Sequence, residues 1–196
     1  MNALLAFARA VDVINEHTGR AVRWLILATV LFAAADALAT FLVRLLADQP
    51  WFAPLASFFT DSIANASLEI QWYLFGAVFL LAAGYTHKHN GHVRVDVLFG
   101  RLPPRARAWI DISGGLLFLL PVCMLMIWLS WPDFVSSWHS GETSSDAGGL
   151  IRWPVRLLIP LGFALLALQG IAETIKRLAF LAGRGQLPGE QPVEEV

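Results

Sequence analysis

Asp36 is the residue in this chain whose type and position most invite chemistry. It lies within an apolar run, among Ala33, Ala34, Ala35, Ala37 and Ala39. Counted from Trp24 it stands about 18 Å along a helix, past the middle of a hydrocarbon core of about 30 Å. An aspartate near the centre costs about 2.5–3.5 kcal/mol on insertion scales, and each apolar residue offsets about 0.3–0.6 kcal/mol. The helix can carry it if Asp36 faces protein or water, and such carboxylates are candidates for proton or cation paths. Glu69, Gln71 and Trp72 open a second apolar run, and Gln169 sets an amide deep in a fourth.

Other chemistries find less support. A membrane haem needs two imidazoles facing each other across the bundle. Here His87, His89 and His92 cluster at one edge, His17 precedes the first apolar run, and His139 lies beyond the third. A zinc site from His87, His89 and His92 lacks cysteine partners, so a solvated face is expected. Cys123 is the single cysteine, cannot form an internal disulfide, and reads as a small buried hydrophobe. No serine elbow, phosphate loop or paired acid at metal-ligand spacing occurs, so the sequence points away from an enzyme.

The elements that must position these residues are four apolar runs: Trp24 to Leu46, Leu68 to Thr86, Trp109 to Trp131 and Trp153 to Leu178. Each is close to the roughly 20 residues a helix needs to span a bilayer. A chain that is 57% hydrophobic and 15% charged suits one compact membrane domain. Its net charge of -1 argues against nucleic acid, which demands a basic face. With both termini cytoplasmic, eleven of fourteen basic residues fall inside, leaving Arg44, Arg152 and Arg156 outside. That is the bias that sets orientation. Tryptophans gather near the ends of the runs, as indole does at the membrane–water boundary. Ala37-Leu38-Ala39 resembles a cleavage site, but the long polar lead and the run onward to Leu46 favour an uncleaved anchor.

Local patterns add detail. Leu4, Phe7, Val11, Ile14 and Thr18 recur at helical spacing, which fits a short amphipathic helix along the cytoplasmic surface or an extension of the first span. Ala33 with Ala37, and Ala35 with Ala39, allow a neighbouring helix to come close. The segment with Pro50, Trp51, Pro54 and Phe58-Phe59 is too apolar for a free loop and too broken to span, so it is expected at the outer interface. Asn65 or Ser67 would cap the second span, with Glu69 in its first turn. Alternating valines around His92, Arg94 and Asp96 indicate a short extended piece. Pro103-Pro104 marks the entry to the third span, Pro121 should kink it, and Trp131-Pro132 should close it. Ser136 to Gly149 reads as a polar outer loop, and Pro160 should bend the fourth span. Residues 1–182 form one four-span domain, and 183–196 a polar, disordered cytoplasmic tail.

One stretch carries more than periodicity. His92-Val93-Arg94-Val95-Asp96-Val97-Leu98-Phe99-Gly100-Arg101-Leu102-Pro103 resembles the signature loop of the DctQ-like small membrane subunit of tripartite ATP-independent periplasmic (TRAP) transporters. Glu69-Ile70-Gln71-Trp72-Tyr73-Leu74-Phe75, Gly141-Glu142-Thr143-Ser144-Ser145 and Gly148-Gly149-Leu150-Ile151-Arg152-Trp153-Pro154 are similar as well. So is Ile159-Pro160-Leu161-Gly162-Phe163.

The resemblance implies an all-α integral membrane protein of the bacterial inner membrane, in a system where a periplasmic binding protein captures an organic acid or related solute. A large membrane subunit then carries it inward with sodium in an elevator-like movement. The small subunit packs against the large one as scaffold and holds no cofactor, the sodium belonging to the large subunit. Asp36, Glu69, Gln71 and Trp72 become candidates for contact with that subunit, at about 0.6–2 kcal/mol each. His92, Arg94, Asp96 and Arg101 would hold the cytoplasmic loop by ion pairs or bind phospholipid phosphate. Trp138 and Glu142 would meet the binding protein, or belong to a locally hydrogen-bonded loop. Two rival readings are a haem-bearing electron-transfer subunit and an autonomous four-helix ion carrier using Asp36.

Overall fold

The computed structural model describes residues 2–46, 49, 51–59, 63–91, 102–146 and 148–184. Their secondary structure is helical: α1 (Asn2–Leu46), α2 (Ala53–Phe58), α3 (Ala64–Lys88), α4 (Pro104–Gly114), α5 (Leu120–Ser140) and α6 (Trp153–Leu181). A π-helical turn, Gly115–Leu119, joins α4 to α5, so residues 104–140 form one helical rod. The expected four spans are present as α1, α3, the α4–α5 rod and α6, each long and apolar enough to cross a bilayer. Large apolar side chains such as Leu31, Phe75, Phe79, Leu117 and Phe118 point outward, as a lipid solvent permits.

The segment before Trp24 is no separate surface helix. It continues the first span without a break, the second of the two arrangements that its periodicity allowed. The reason is packing: Ala8, Val11, Asn15, Gly19 and Val22 make a buried stripe. Ala8 and Val11 meet Ala172, Leu168 and Ile175 of α6. Protein covers the stripe through Val11, while Leu4, Phe7 and Ile14 of the periodic apolar set stay exposed.

α6 is the centre of the bundle. It packs against α3, against α5 and against the first half of α1, while α3 also packs along α1. Small residues let these helices approach closely. At Gly162 a Cβ would stand 2.8 Å from Leu80 Cβ and from the Leu80 carbonyl oxygen, and at Gly84 it would stand 2.2 Å from Asn15 Oδ1. Either position demands glycine.

Several boundaries differ from expectation. Pro132 does not close the third span; the helix runs on to Ser140 and ends at Gly141, whose φ of 60° is the left-handed cap that glycine readily adopts. Pro121 is preceded by the π turn, a local widening typical of helices that accommodate such a break. Neither Asn65 nor Ser67 caps α3, because that helix starts earlier, at Ala64 after Ile63, with no side-chain cap. The extended piece around His92 to Val97 lies outside the described residues, as does most of the tail.

Candidate functional site

Polar side chains collect at both ends of the bundle. The end where α1 begins and α6 finishes has the denser set, built on one face of α6. Gln169, Glu173 and Arg177 follow one another at intervals of four, with Lys176 beside them, so they share a face turned into protein. Gln169 Nε2 donates to Asp12 Oδ1 at 2.9 Å and to Glu173 Oε1 at 3.1 Å. Its Oε1 accepts from Asn15 Nδ2 at 2.9 Å. Lys176 Nζ bonds Asp12 Oδ1 at 3.0 Å and also Glu173. Arg177 donates through Nε to Asp111 Oδ2 at 2.9 Å and through Nη1 to Glu173 Oε2 at 2.8 Å. Three carboxylates thus meet two cations and two amides, drawn from α1, α4 and α6.

Burial makes this cluster consequential. The side chains of Glu173 and Arg177 are only 4% and 5% exposed, so each depends on its polar partners to offset a charge taken out of water. Asn15 Oδ1 has no hydrogen-bond partner among the described residues and lies against the backbone of Gly84. A Cα–H···O contact is the interaction open to it there. Close by, Glu16 accepts from Lys88 at 2.7 Å and pairs with His89 at 3.2 Å, which ties α3 to α1. Glu16 precedes the apolar run by two turns, and hydrogen bonds from Lys88 and then His89 hold its pKa down at about 2.

The opposite end is organised by a loop. Thr143 bridges Ile151 in antiparallel fashion, Ser144 N–H donates to Leu150 O at 2.9 Å, and Arg152 N–H to Glu142 O at 3.1 Å. Glu69, on α3, accepts the Leu150 N–H at 2.8 Å and so clamps this loop to the helix. Glu142 pairs with Arg156 at 2.6 Å and accepts from Ser137 at 3.2 Å. Trp138 stands edge-on to Trp153 at a centroid distance of 4.6 Å while remaining half exposed. Deeper along α1 and α3, Gln71 Nε2 donates to Asp36 Oδ2 at 3.0 Å. Both residues are only partly buried, and among the described residues this is the one hydrogen bond of the Asp36 carboxylate.

The structure therefore brings Asp36 and Gln71 together and leaves Trp72 facing outward, 79% exposed. It places Glu69 under the loop rather than at a helix cap, and joins Glu142 to Arg156. His92, Arg94, Asp96 and Arg101 lie outside the described residues. Among the described residues no three His, Cys, Asp or Glu side chains are grouped as metal ligands would be.

The family model described as "Tripartite ATP-independent periplasmic transporters, DctQ component" matches residues 55–180, more than half of the chain. The chain belongs to the DctQ family. It is thus a small membrane subunit of a TRAP transporter, a multi-pass membrane protein from a family of transporter components rather than of enzymes. No curated protein and no solved structure matches it. The match takes in α3 through nearly all of α6, with Glu69, Gln71, Trp138, Glu142 and the α6 cluster, but not α1. In this DctQ subunit the polar ties of Asp12, Asn15, Glu16 and Asp36 fasten α1 onto the matched region.

Sequence reading missed the α6 cluster as a unit. It singles out Gln169 alone, and Lys176 and Arg177 enter only among the eleven basic residues assigned to the inner side. The usable signal was the recurrence of Gln169, Glu173 and Arg177 at helical spacing in an otherwise apolar helix.

Proposed function

We propose that this subunit buttresses the large membrane subunit of its transporter, widening the static frame against which a sodium-coupled, elevator-like carrier moves. The imported solute is an organic acid or related compound, delivered by a periplasmic binding protein. Both termini face the cytoplasm of a bacterial cell, in keeping with the eleven basic residues assigned to that side. The basic loop around Arg94 and Arg101 then meets phospholipid headgroups there.

The observation that carries the reading is the Asp36–Gln71 pair. A part-exposed carboxylate with a single amide donor is poorly compensated in hydrocarbon. A donor from a helix of the large subunit would complete it, with the exposed Trp72 ring beside the contact. The pair is fastened to a chain whose other buried charges are already matched, which suits a scaffold better than a carrier. Glu142 and Trp138 offer the binding protein a surface on the far side.

Reconstitution tests this. Liposomes holding the large subunit and the binding protein should take up solute only when this chain is also present, and this chain alone should transport nothing. Uptake by this chain alone, abolished in Asp36→Asn, would establish the ion-carrier reading instead. Replacing Arg94 and Arg101 together by Glu should lower complex yield; unchanged yield and uptake would remove any special part for them.

A further inference from the structure

At the end of the bundle away from the α6 cluster, a cavity of about 550 Å³ opens between the starts of α3 and α6. Its walls carry both signs of charge: Arg152 and Arg156 from the start of α6, Glu69 from α3 and Asp146 from the loop. Arg156 is engaged by Glu142 and by the Asp133 carbonyl, and Glu69 by the loop backbone. Arg152 and Asp146 are less committed. Among the described residues the Arg152 guanidinium makes one long bond, to Ser144 Oγ at 3.4 Å, beside the Glu69 carboxylate whose charge it partly offsets, and the Asp146 carboxylate is exposed with no hydrogen bond.

The cavity continues into an apolar track. Leu68 and Trp72 line it, and with Phe75 and Phe79 they follow α3 at intervals of four, three and four, one face of a helix. These four are 54%, 79%, 68% and 70% exposed. From Leu68 to Phe79 the track is about 16 Å long at 1.5 Å per residue, about half of a 30 Å hydrocarbon core. Past Phe79 no residue of α3 is exposed again before the helix ends at Lys88. The outward ridge is one leaflet deep. A partner helix crossing the membrane would call for a ridge along the whole span.

We propose that this cavity and track bind one phospholipid with an amine headgroup, from the leaflet at that end of the bundle. Its phosphate lies against Arg152, with the start of α6 adding the positive end of a helix dipole. The ammonium lies against Asp146 and the rim of Glu69. One acyl chain runs along Leu68, Trp72, Phe75 and Phe79. The lipid fills the notch between α3 and α6 and shields the Glu69 clamp from the bilayer.

Native mass spectrometry of the full chain in detergent tests this with phosphatidylethanolamine as probe. The wild-type chain should retain one such lipid, and diacylglycerol with the same acyl chains should bind at least about tenfold more weakly, since it lacks both the phosphate and the ammonium that make charge-assisted bonds. Arg152→Gln should cut phosphatidylethanolamine retention by about tenfold, and Arg152→Lys should restore most of it. Inorganic phosphate at millimolar concentration should not displace the lipid, because it lacks the chain. Equal binding of diacylglycerol, displacement by phosphate, or retention unchanged in Arg152→Gln would each overturn the proposal. Loss of the lipid when the large subunit is bound would give the ridge to that subunit and overturn it too. The diacylglycerol comparison uses the unaltered chain, so it decides the matter even if a variant fails to fold.

Discussion

The two ends of the bundle solve the same problem in different ways. Where α1 begins and α6 finishes, carboxylates, cations and amides from three helices are buried or part-buried and pair with one another, Asn15 Oδ1 excepted among the described residues, and a fourth helix is tied on through Lys88 and Glu16. At the opposite end the polar groups are bound to a loop or sit half exposed, and Asp36 has one amide donor. The first end matches its carboxylates with cations of its own; the second leaves unfinished contacts at the membrane surface and just inside it. A subunit meant to be clasped by a larger one should be built this way, with its own fold secured where the partner is not needed.

The contrast can be broken most forcefully at Arg177. Arg177→Leu takes the guanidinium from the buried Glu173 carboxylate, which keeps Lys176 and Gln169, and from the part-buried Asp111, and should cost about 3 kcal/mol in detergent unfolding monitored by circular dichroism. A loss below about 1 kcal/mol, the range of an exposed pair, would mean that the buried end is no more demanding than the other. Gly84→Val comes next, at about 1–3 kcal/mol, because the new side chain would strike Asn15. The same assay reads it, and a neutral result would deny the close approach of α1 and α3.

Smaller effects sharpen the other side. Asp36→Leu loses the Gln71 bond but also removes a carboxylate from hydrocarbon, so the isolated chain should change by less than about 1 kcal/mol, while its complex with the large subunit weakens by about 0.6–1.7 kcal/mol, read as earlier dissociation on detergent challenge. Undiminished complex would count against a polar contact there. Glu142→Gln, at a part-exposed ion pair, should change unfolding by no more than about 1 kcal/mol, and less at high salt. The last is a pH effect. Glu16 titrates lower when folded than its ordinary 4.5, so its contribution is complete above that value and fades as pH falls through about 2. Protection of the α1 amides around Glu16, taken relative to intrinsic exchange at each pH, should fall across that window in the wild type but not in Glu16→Gln.

How far sequence reached follows from what each contact needs. Span number came from apolar run length, which the bilayer thickness sets, and the proline-marked starts at Pro104 and Pro154 hold. Helix ends were harder. Gly141, not Pro132, stops the third span, since a helix braced by α6 can absorb a missing donor while glycine still supplies the left-handed exit. Glu69 reads as a first-turn carboxylate behind a cap at Asn65 or Ser67, but its partner is Leu150, 81 residues away. Asp12 and Gln169 are 157 residues apart, and pairing at such range follows from how helices pack, not from local pattern.

Co-purification from a membrane in which this chain and the large subunit are expressed together tests the account most directly. A stable complex of one copy of each, lost or weakened by Asp36→Leu while the variant chain itself stays folded, is the predicted outcome. A chain that purifies without that partner, or that moves solute unaided in liposomes, would contradict it.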